Sequence, residues 1–260
     1  IVLNPNYAEA HYNLGVTQQE RGEYSKAAKS YQKAINFRSS YFEAYNNLGA
    51  VFEELSRLEE AASNHQKAID IKPDHAAAHN NLGNASRDQG KLEEAVDRFQ
   101  EALTINPNFA EAHNNLGAVF QDLGRLEEAV DSYDKALVLK PDYAEAYINL
   151  GDALRVLGRW DQSVVNCQKA ITLDPSYVEA YTNLGNAFSE LKRLDEAISS
   201  YEKAIALQPD YVEAHSNLGN ALKQLEKLDE AAASYQKALK LNPDFAEAYN
   251  CLLYTSPRPR

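Results

Sequence analysis

The sequence predicts an all-α fold, a right-handed superhelical solenoid of tandem 34-residue helix–turn–helix repeats. The first observation is an Asn-Leu-Gly triplet that recurs every 34 residues without a slip, at Asn13, Asn47, Asn81, Asn115, Asn149, Asn183 and Asn217. The second is that apolar residues between the triplets are spaced three and four apart, as on one helix face. Fixed self-similarity at this period is typical of stacked repeats, because a single helix pair cannot bury both of its faces.

We number the positions of each repeat from 1 to 34, so that the triplet asparagine occupies position 6. Full repeats then span 8–41, 42–75, 76–109, 110–143, 144–177, 178–211 and 212–245, and a partial repeat spans 246–250. Residues 1–7 are interpreted as the tail of a preceding repeat. Residues 251–260 leave the pattern and contain two prolines, so we expect a tail that is not native, with a genuine capping segment as the alternative. The chain has no methionine and is expected to be a fragment.

Each repeat is predicted to contain a first helix of about 14 residues, a turn and a second helix. A glycine suited to a left-handed helix cap follows the first helix in four repeats, at Gly22, Gly90, Gly124 and Gly158. A proline at position 32 ends most repeats after the second helix. Small residues such as Gly117, Ala129 and Ala136 are expected to let the two helix backbones approach closely. The first helices are predicted to line the inner face of the solenoid, which is therefore the candidate binding surface.

The start of the first helix carries a second pattern, in which Asp142 precedes Glu145 by three residues. This spacing predicts a capping box, in which the two side chains satisfy backbone amides at the helix start. Similar pairs begin at Ser40, Asn108, Ser176, Asp210 and Asp244. The alternative is an acidic ladder that holds a cation.

Composition excludes several classes of function. Lys and Arg total 26 against 38 Asp and Glu, and no basic cluster exists, so we expect no nucleic-acid binding. No apolar run approaches the roughly 18 residues of a membrane span, so we expect no membrane role. Two cysteines, Cys167 and Cys251, cannot form a disulfide framework, which fits an intracellular location, cytoplasmic or nuclear.

The polar residues that recur all have a structural position in the repeat, so we expect no catalytic site and no cofactor in this chain. Four of the six histidines occupy position 4, on the helix-packing face. Equivalent atoms in successive repeats should lie about 8–10 Å apart, too far to share one zinc ion. No metal site is therefore expected.

These positions together closely resemble the tetratricopeptide repeat over residues 8–250. The resemblance rests on Leu-Gly at positions 7 and 8, alanine at 20 and 27, an aromatic residue at 24 and proline at 32. His65 and Cys167 depart from the aromatic at position 24, Ser163 from the alanine at 20, and Ser39 from the proline.

Within that family, the array is similar to those of O-linked N-acetylglucosamine transferases and Spindly-type proteins. This resemblance implies that the seven position-6 asparagines hold an extended peptide along the inner groove. An Asn carboxamide offers two donors and an acceptor, which suits a peptide backbone. The alternative is that each asparagine bonds locally within the array or to water.

The fifth repeat differs at Ile148, Asp152 and Val156, which share one helix stripe beside Arg155. We interpret this stripe as a pocket for a basic or amphipathic ligand, with neutral variation as the alternative. A chaperone carboxylate clamp is not expected, since it needs basic residues where this chain has glutamate at position 2 and asparagine at position 6.

The sequence therefore predicts a protein-interaction scaffold that binds an extended peptide or a partner protein in its groove. The alternative is the substrate-docking arm of a protein O-GlcNAc transferase whose catalytic domain lies outside this sequence.

Overall fold

A computed structural model describes residues 7–245, which form fourteen α-helices and no β-strand. The helices are α1 (Ala8–Glu20), α2 (Tyr24–Phe37), α3 (Phe42–Glu54), α4 (Leu58–Ile71), α5 (Ala76–Asp88), α6 (Leu92–Ile105), α7 (Ala110–Asp122), α8 (Leu126–Leu139), α9 (Ala144–Val156), α10 (Trp160–Leu173), α11 (Val178–Glu190), α12 (Leu194–Leu207), α13 (Val212–Gln224) and α14 (Leu228–Leu241). The predicted all-α class is confirmed. The partial repeat at 246–250, the tail at 251–260 and residues 1–6 lie outside the described residues.

The chain divides into two compact units, Ile1–Leu139 and Lys140–Arg260. Within each unit, the first helix of a repeat packs on its own second helix, which in turn packs on the next first helix. Successive first helices also contact each other, whereas no second helix contacts another among the described residues of either unit. The first helices therefore form an inner layer in each unit, and the second helices form an outer layer.

The turn between the two helices follows the predicted glycine cap. Gly124 has a φ of 73°, its N–H donates to the Gln121 carbonyl at 2.9 Å, and the Arg125 N–H donates to the Phe120 carbonyl at 2.7 Å. This pair of bonds is the Schellman motif, which satisfies the last carbonyls of the helix. In three repeats the same turn is made by a residue other than glycine, at Ser56, Lys192 and Glu226, with φ of 57–61°.

The capping-box prediction is wrong for the described helices. α9 begins one residue later than the box requires, so that Tyr143 is the N-cap, Asp142 lies outside the helix, and no side-chain cap bond forms. The first helices α3, α7, α11 and α13 likewise begin after an aromatic N-cap without a side-chain bond. Among the seven first helices that the structure describes, only α5 has an N-cap side chain that acts, where His75 Nδ1 accepts from the Ala78 N–H at 3.1 Å.

The linker between repeats has a different stabilising bond from the one predicted. Asp174, which precedes the linker proline, accepts the Ser176 N–H at 2.9 Å, and Asn106 and Asn242 accept equivalent bonds. Such a bond is an Asx turn, which holds the chain across the proline. The first-turn glutamate of α13 has a different partner from the one predicted, since Glu213 accepts a bond from the Tyr211 hydroxyl at 3.2 Å.

The core of each repeat is built where a position-8 glycine faces the residue at position 24. Tyr31, Tyr133, Tyr201 and Tyr235 fill this place, and Phe99, His65 and Cys167 replace them in the other repeats. The alanines at positions 20 and 27 are fully buried. Small residues therefore do allow close helix approach, as predicted.

Three of the position-4 histidines form hydrogen bonds to the linker that precedes their repeat. His79, His113 and His215 each place Nε2 within 2.9–3.1 Å of the carbonyl oxygen of the preceding proline. Because a carbonyl can only accept, Nε2 carries the hydrogen in each ring. Within residues 7–245, no group of three or more His, Cys, Asp or Glu side chains could hold a metal ion, and no helix is long and apolar enough to cross a membrane.

Candidate functional site: the inner surface of the first helices

The position-6 asparagines lie on the first helices, and in the N-terminal unit they form bonds between repeats. In each case Nδ2 donates to a side-chain oxygen at position 5 of the preceding repeat, 35 residues earlier. The donor–acceptor pairs are Asn47–Tyr12 at 3.1 Å, Asn81–Asn46 at 3.2 Å and Asn115–Asn80 at 3.1 Å. One N–H of these carboxamides is therefore engaged within the array, which is the local role that the sequence left open.

These bonds leave each asparagine with further hydrogen-bonding capacity. A carboxamide has two N–H donors and a carbonyl oxygen, and the bond to the preceding repeat uses one donor. Asn47, Asn81 and Asn115 are half-buried, and Asn13 is exposed. The inner surface of the N-terminal unit thus presents a row of side-chain amides, of which Asn47, Asn81 and Asn115 each have one N–H bonded within the protein.

The C-terminal unit orients its amides through tyrosine hydroxyls. Asn186 Oδ1 accepts both the Tyr201 hydroxyl at 2.8 Å and Asn217 Nδ2 at 2.9 Å. Tyr235 donates to Asn220 Oδ1 at 2.8 Å in the same way. Because the oxygen of Asn186 receives two bonds, its NH₂ group is directed away from the tyrosine as a donor.

Burial disfavours ionisation of the Tyr201 and Tyr31 hydroxyls. It raises the pKa of Tyr201 above its ordinary value, and the nearby Glu213 carboxylate raises the pKa further. Burial raises the pKa of Tyr31 to about 12 in the N-terminal unit. Each hydroxyl is therefore a donor at neutral pH, and its donor role fixes the orientation of the amide that it contacts.

An open recess of about 620 Å³ lies on the inner surface of the C-terminal unit. Its lining includes Arg155, Asn186, Tyr201, Glu213, Asn217 and Asn220. Donors, acceptors and charges of both signs are mixed there, which suits a polar chain rather than an apolar ligand or a highly charged one. Sequence reasoning identified the asparagines but missed Tyr201 and Glu213. The spacing of position 24 on the second helix indicated a core residue, and gave no sign that its hydroxyl reaches the inner surface.

The fifth repeat differs from its predicted surface. Ile148 is only 8% exposed, because it packs with Ala170 and Ala180 between repeats. Asp152 accepts two bonds from the Arg155 guanidinium, the shorter at 2.7 Å, so its charge is paired. Val156 is 53% exposed. The apolar–acidic–apolar stripe is therefore interrupted at its first residue, and a ligand role for Ile148 and Asp152 remains a prediction.

Comparison with known proteins agrees with this architecture. Residues 5–208 match the sequence model of the cilia and flagella-associated protein 70 C-terminal domain, and residues 212–245 match that of the tetratricopeptide repeat. The chain belongs to the tetratricopeptide repeat proteins. Within them, it falls in the family of the cilia and flagella-associated protein 70 C-terminal domain, whose model covers most of its length. A search among curated proteins found no match.

Solved structures share the fold. A chain of the APC/C hetero-tetramer Cut9–Hcn1 superposes with a TM-score of 0.79 at 16% identity over 94% of this chain and 48% of that one. The present chain thus spans about half the length of that protein. MamA has a TM-score of 0.59 at 31% identity over 64% of this chain and 97% of its own. YrrB has a TM-score of 0.58 at 25% identity, with coverage of 72% and 96%.

Proposed function

We propose that this chain is a protein-interaction scaffold that binds an extended peptide, or an extended segment of a partner protein, along its inner surface. The observation that carries the proposal is the set of oriented side-chain amides on the first helices of the C-terminal unit, which line its polar recess. An extended backbone presents alternating N–H and C=O groups, and carboxamides can pair with both.

Relatives support the same class of function. Tetratricopeptide repeat proteins are interaction scaffolds, and YrrB is described as having an unusual peptide-binding site. The predicted docking arm of a protein O-GlcNAc transferase is a finer form of this proposal. It rests on the asparagine series at Asn13, Asn47, Asn81, Asn115, Asn149, Asn183 and Asn217 in the sequence alone.

The proposal is tested by selecting peptides on the whole chain from a displayed library of random 12-residue sequences. Affinities of the selected peptides are then measured for two variants that carry the same new side chain. Ser189→Trp fills the recess, since Ser189 lies in its lining, whereas Val165→Trp places tryptophan on the exposed outer layer. We expect Ser189→Trp to weaken binding at least about tenfold and Val165→Trp to leave it unchanged. Failure to select any peptide, or equal affinities for the two variants, would refute binding at this surface.

A further inference from the structure

The bonds between repeats follow one rule in the N-terminal unit. A position-6 asparagine donates to the position-5 side chain 35 residues before it, and that side chain is Tyr12, Asn46 or Asn80. Each acceptor has an oxygen at the right place. In the N-terminal unit, the position-6 asparagine therefore bonds to the preceding repeat through an oxygen that position 5 supplies.

The rule is broken where the fifth repeat meets the sixth. Position 5 of the fifth repeat is Ile148, which lies 35 residues before Asn183 and has no side-chain oxygen. Ile148 is buried in a cluster with Ala180 of α11, one helical turn before Asn183, and α9 contacts α11. The neighbouring residue is thus in place but cannot accept a hydrogen bond.

Both N–H donors and the carbonyl oxygen of the Asn183 side chain are consequently available for hydrogen bonds. Its side chain is half-buried and makes no hydrogen bond within the described residues. One turn further along the same helix, Asn186 lines the recess and directs its NH₂ group outward. Asn183 therefore lies on α11 between Ala180, which contacts Ile148, and Asn186, which lines the recess.

We propose that Asn183 is the principal ligand-contacting asparagine of the series, and that its carboxamide pairs with the N–H and C=O of one residue of an extended peptide. This inference rests on the proposed scaffold function. A ligand at Asn183 gains both bonds without competing with a bond inside the protein. At Asn81, one N–H is already bonded to Asn46, so the same ligand gains less there.

The expected effect follows from the number of bonds lost. Each neutral hydrogen bond contributes on the order of a few-fold to an equilibrium constant, and two such bonds together contribute roughly tenfold. Asn183→Ala should therefore weaken peptide binding about tenfold. Its thermal stability should change little, because no bond within the protein is removed.

The test compares matched variants of the whole chain with a fluorescent peptide chosen by selection on the wild-type protein. Asn183→Ala removes a carboxamide that has no hydrogen bond to the described residues of the protein. Asn81→Ala removes, at the same repeat position, a carboxamide that donates to the preceding repeat. Ile148→Asn leaves Asn183 in place but supplies the oxygen that Asn46 and Asn80 supply elsewhere. Asparagine is already buried at position 5 in Asn80 and Asn114, so this third variant has precedent in the same array.

Two readouts follow, the dissociation constant and the solvent exchange of the side-chain amide protons by NMR. We expect Asn183→Ala to lose at least threefold more affinity than Asn81→Ala, and Ile148→Asn to weaken binding while slowing exchange at the Asn183 amide. If Asn81→Ala loses as much affinity as Asn183→Ala, the inference is overturned while the scaffold function stands. If the wild-type protein selects no peptide, the scaffold function itself fails.

Discussion

The contact between position 8 and position 24 makes the sharpest prediction for stability. A Cβ added to Gly117 would lie 2.7 Å from Cε1 and 2.8 Å from Cδ1 of the Tyr133 ring. That ring is 1% exposed, and its hydroxyl donates to Gln121 at 3.1 Å, so it has no room to retreat. Overpacking of this kind costs roughly 1–3 kcal/mol, while alanine gains about 1 kcal/mol over glycine in a helix interior. We expect Gly117→Ala to lower the free energy of unfolding by about 1 kcal/mol net.

The fifth repeat provides the matched control. A Cβ on Gly151 would meet Cys167 Sγ at 2.8 Å, but the next neighbours lie at 3.6 and 3.7 Å. A single sulfur atom can turn about the Cα–Cβ bond, whereas a buried ring cannot. Gly151→Ala should therefore be neutral, or stabilising by up to about 1 kcal/mol through helix propensity.

Urea denaturation followed by circular dichroism gives the two free energies. Because repeat arrays can unfold in parts, amide exchange of α7–α8 and α9–α10 by mass spectrometry shows which repeat is affected. The reasoning is wrong if both variants shift by the same amount. It is also wrong if Gly117→Ala protects the amides of its own repeat.

Two further predictions concern the turn and the buried thiol. Lys192 has a φ of 60° where four repeats carry glycine, and the left-handed region costs a non-glycine residue about 1 kcal/mol. Lys192→Gly should raise the urea midpoint accordingly, and an unchanged midpoint would contradict the strain. Burial raises the pKa of the Cys167 thiol from 9.0 to about 12, so the folded state keeps a proton that the unfolded state releases. The free energy of unfolding should therefore fall as pH rises from about 9 toward 12, by up to about 1.4 kcal/mol per pH unit, and fall less in Cys167→Ala. Equal slopes for the two proteins in urea titrations would count against this.

Features that a repeat satisfies within itself could be predicted from the sequence. Four such features are the 34-residue period, the helix pair, the cap at Gly124 and the small residue at Gly117. Each is required by the steric or backbone geometry of one helical hairpin. The helix start could not be predicted so well. A capping box depends on the exact first residue of the helix, and the half-buried aromatic before Ala144 takes the N-cap in place of Asp142.

The sequence places the position-6 asparagines on the first helices but does not predict their hydrogen bonds, because those bonds join different repeats. The sequence aligns the position-6 asparagines, yet it treats all seven as equivalent. Their hydrogen bonds depend on the residue 35 positions earlier, which lies on a different helix. The sequence indicated Ile148 as an apolar residue of the binding surface. In the structure it is buried, and it offers no side-chain oxygen to accept a hydrogen bond from Asn183.

In the N-terminal unit, the role of a position-6 asparagine therefore depends on the residue at position 5 of the preceding repeat. Where that residue has a side-chain oxygen, as Asn46 does, the asparagine holds two repeats together and contributes to stability. Where it is aliphatic, as Ile148 is, packing holds the repeats together, and the carboxamide of Asn183 is the one that we propose binds a ligand. On this proposal, one residue type holds repeats together in the N-terminal unit and recognises a ligand in the C-terminal unit, without any change in the repeat itself.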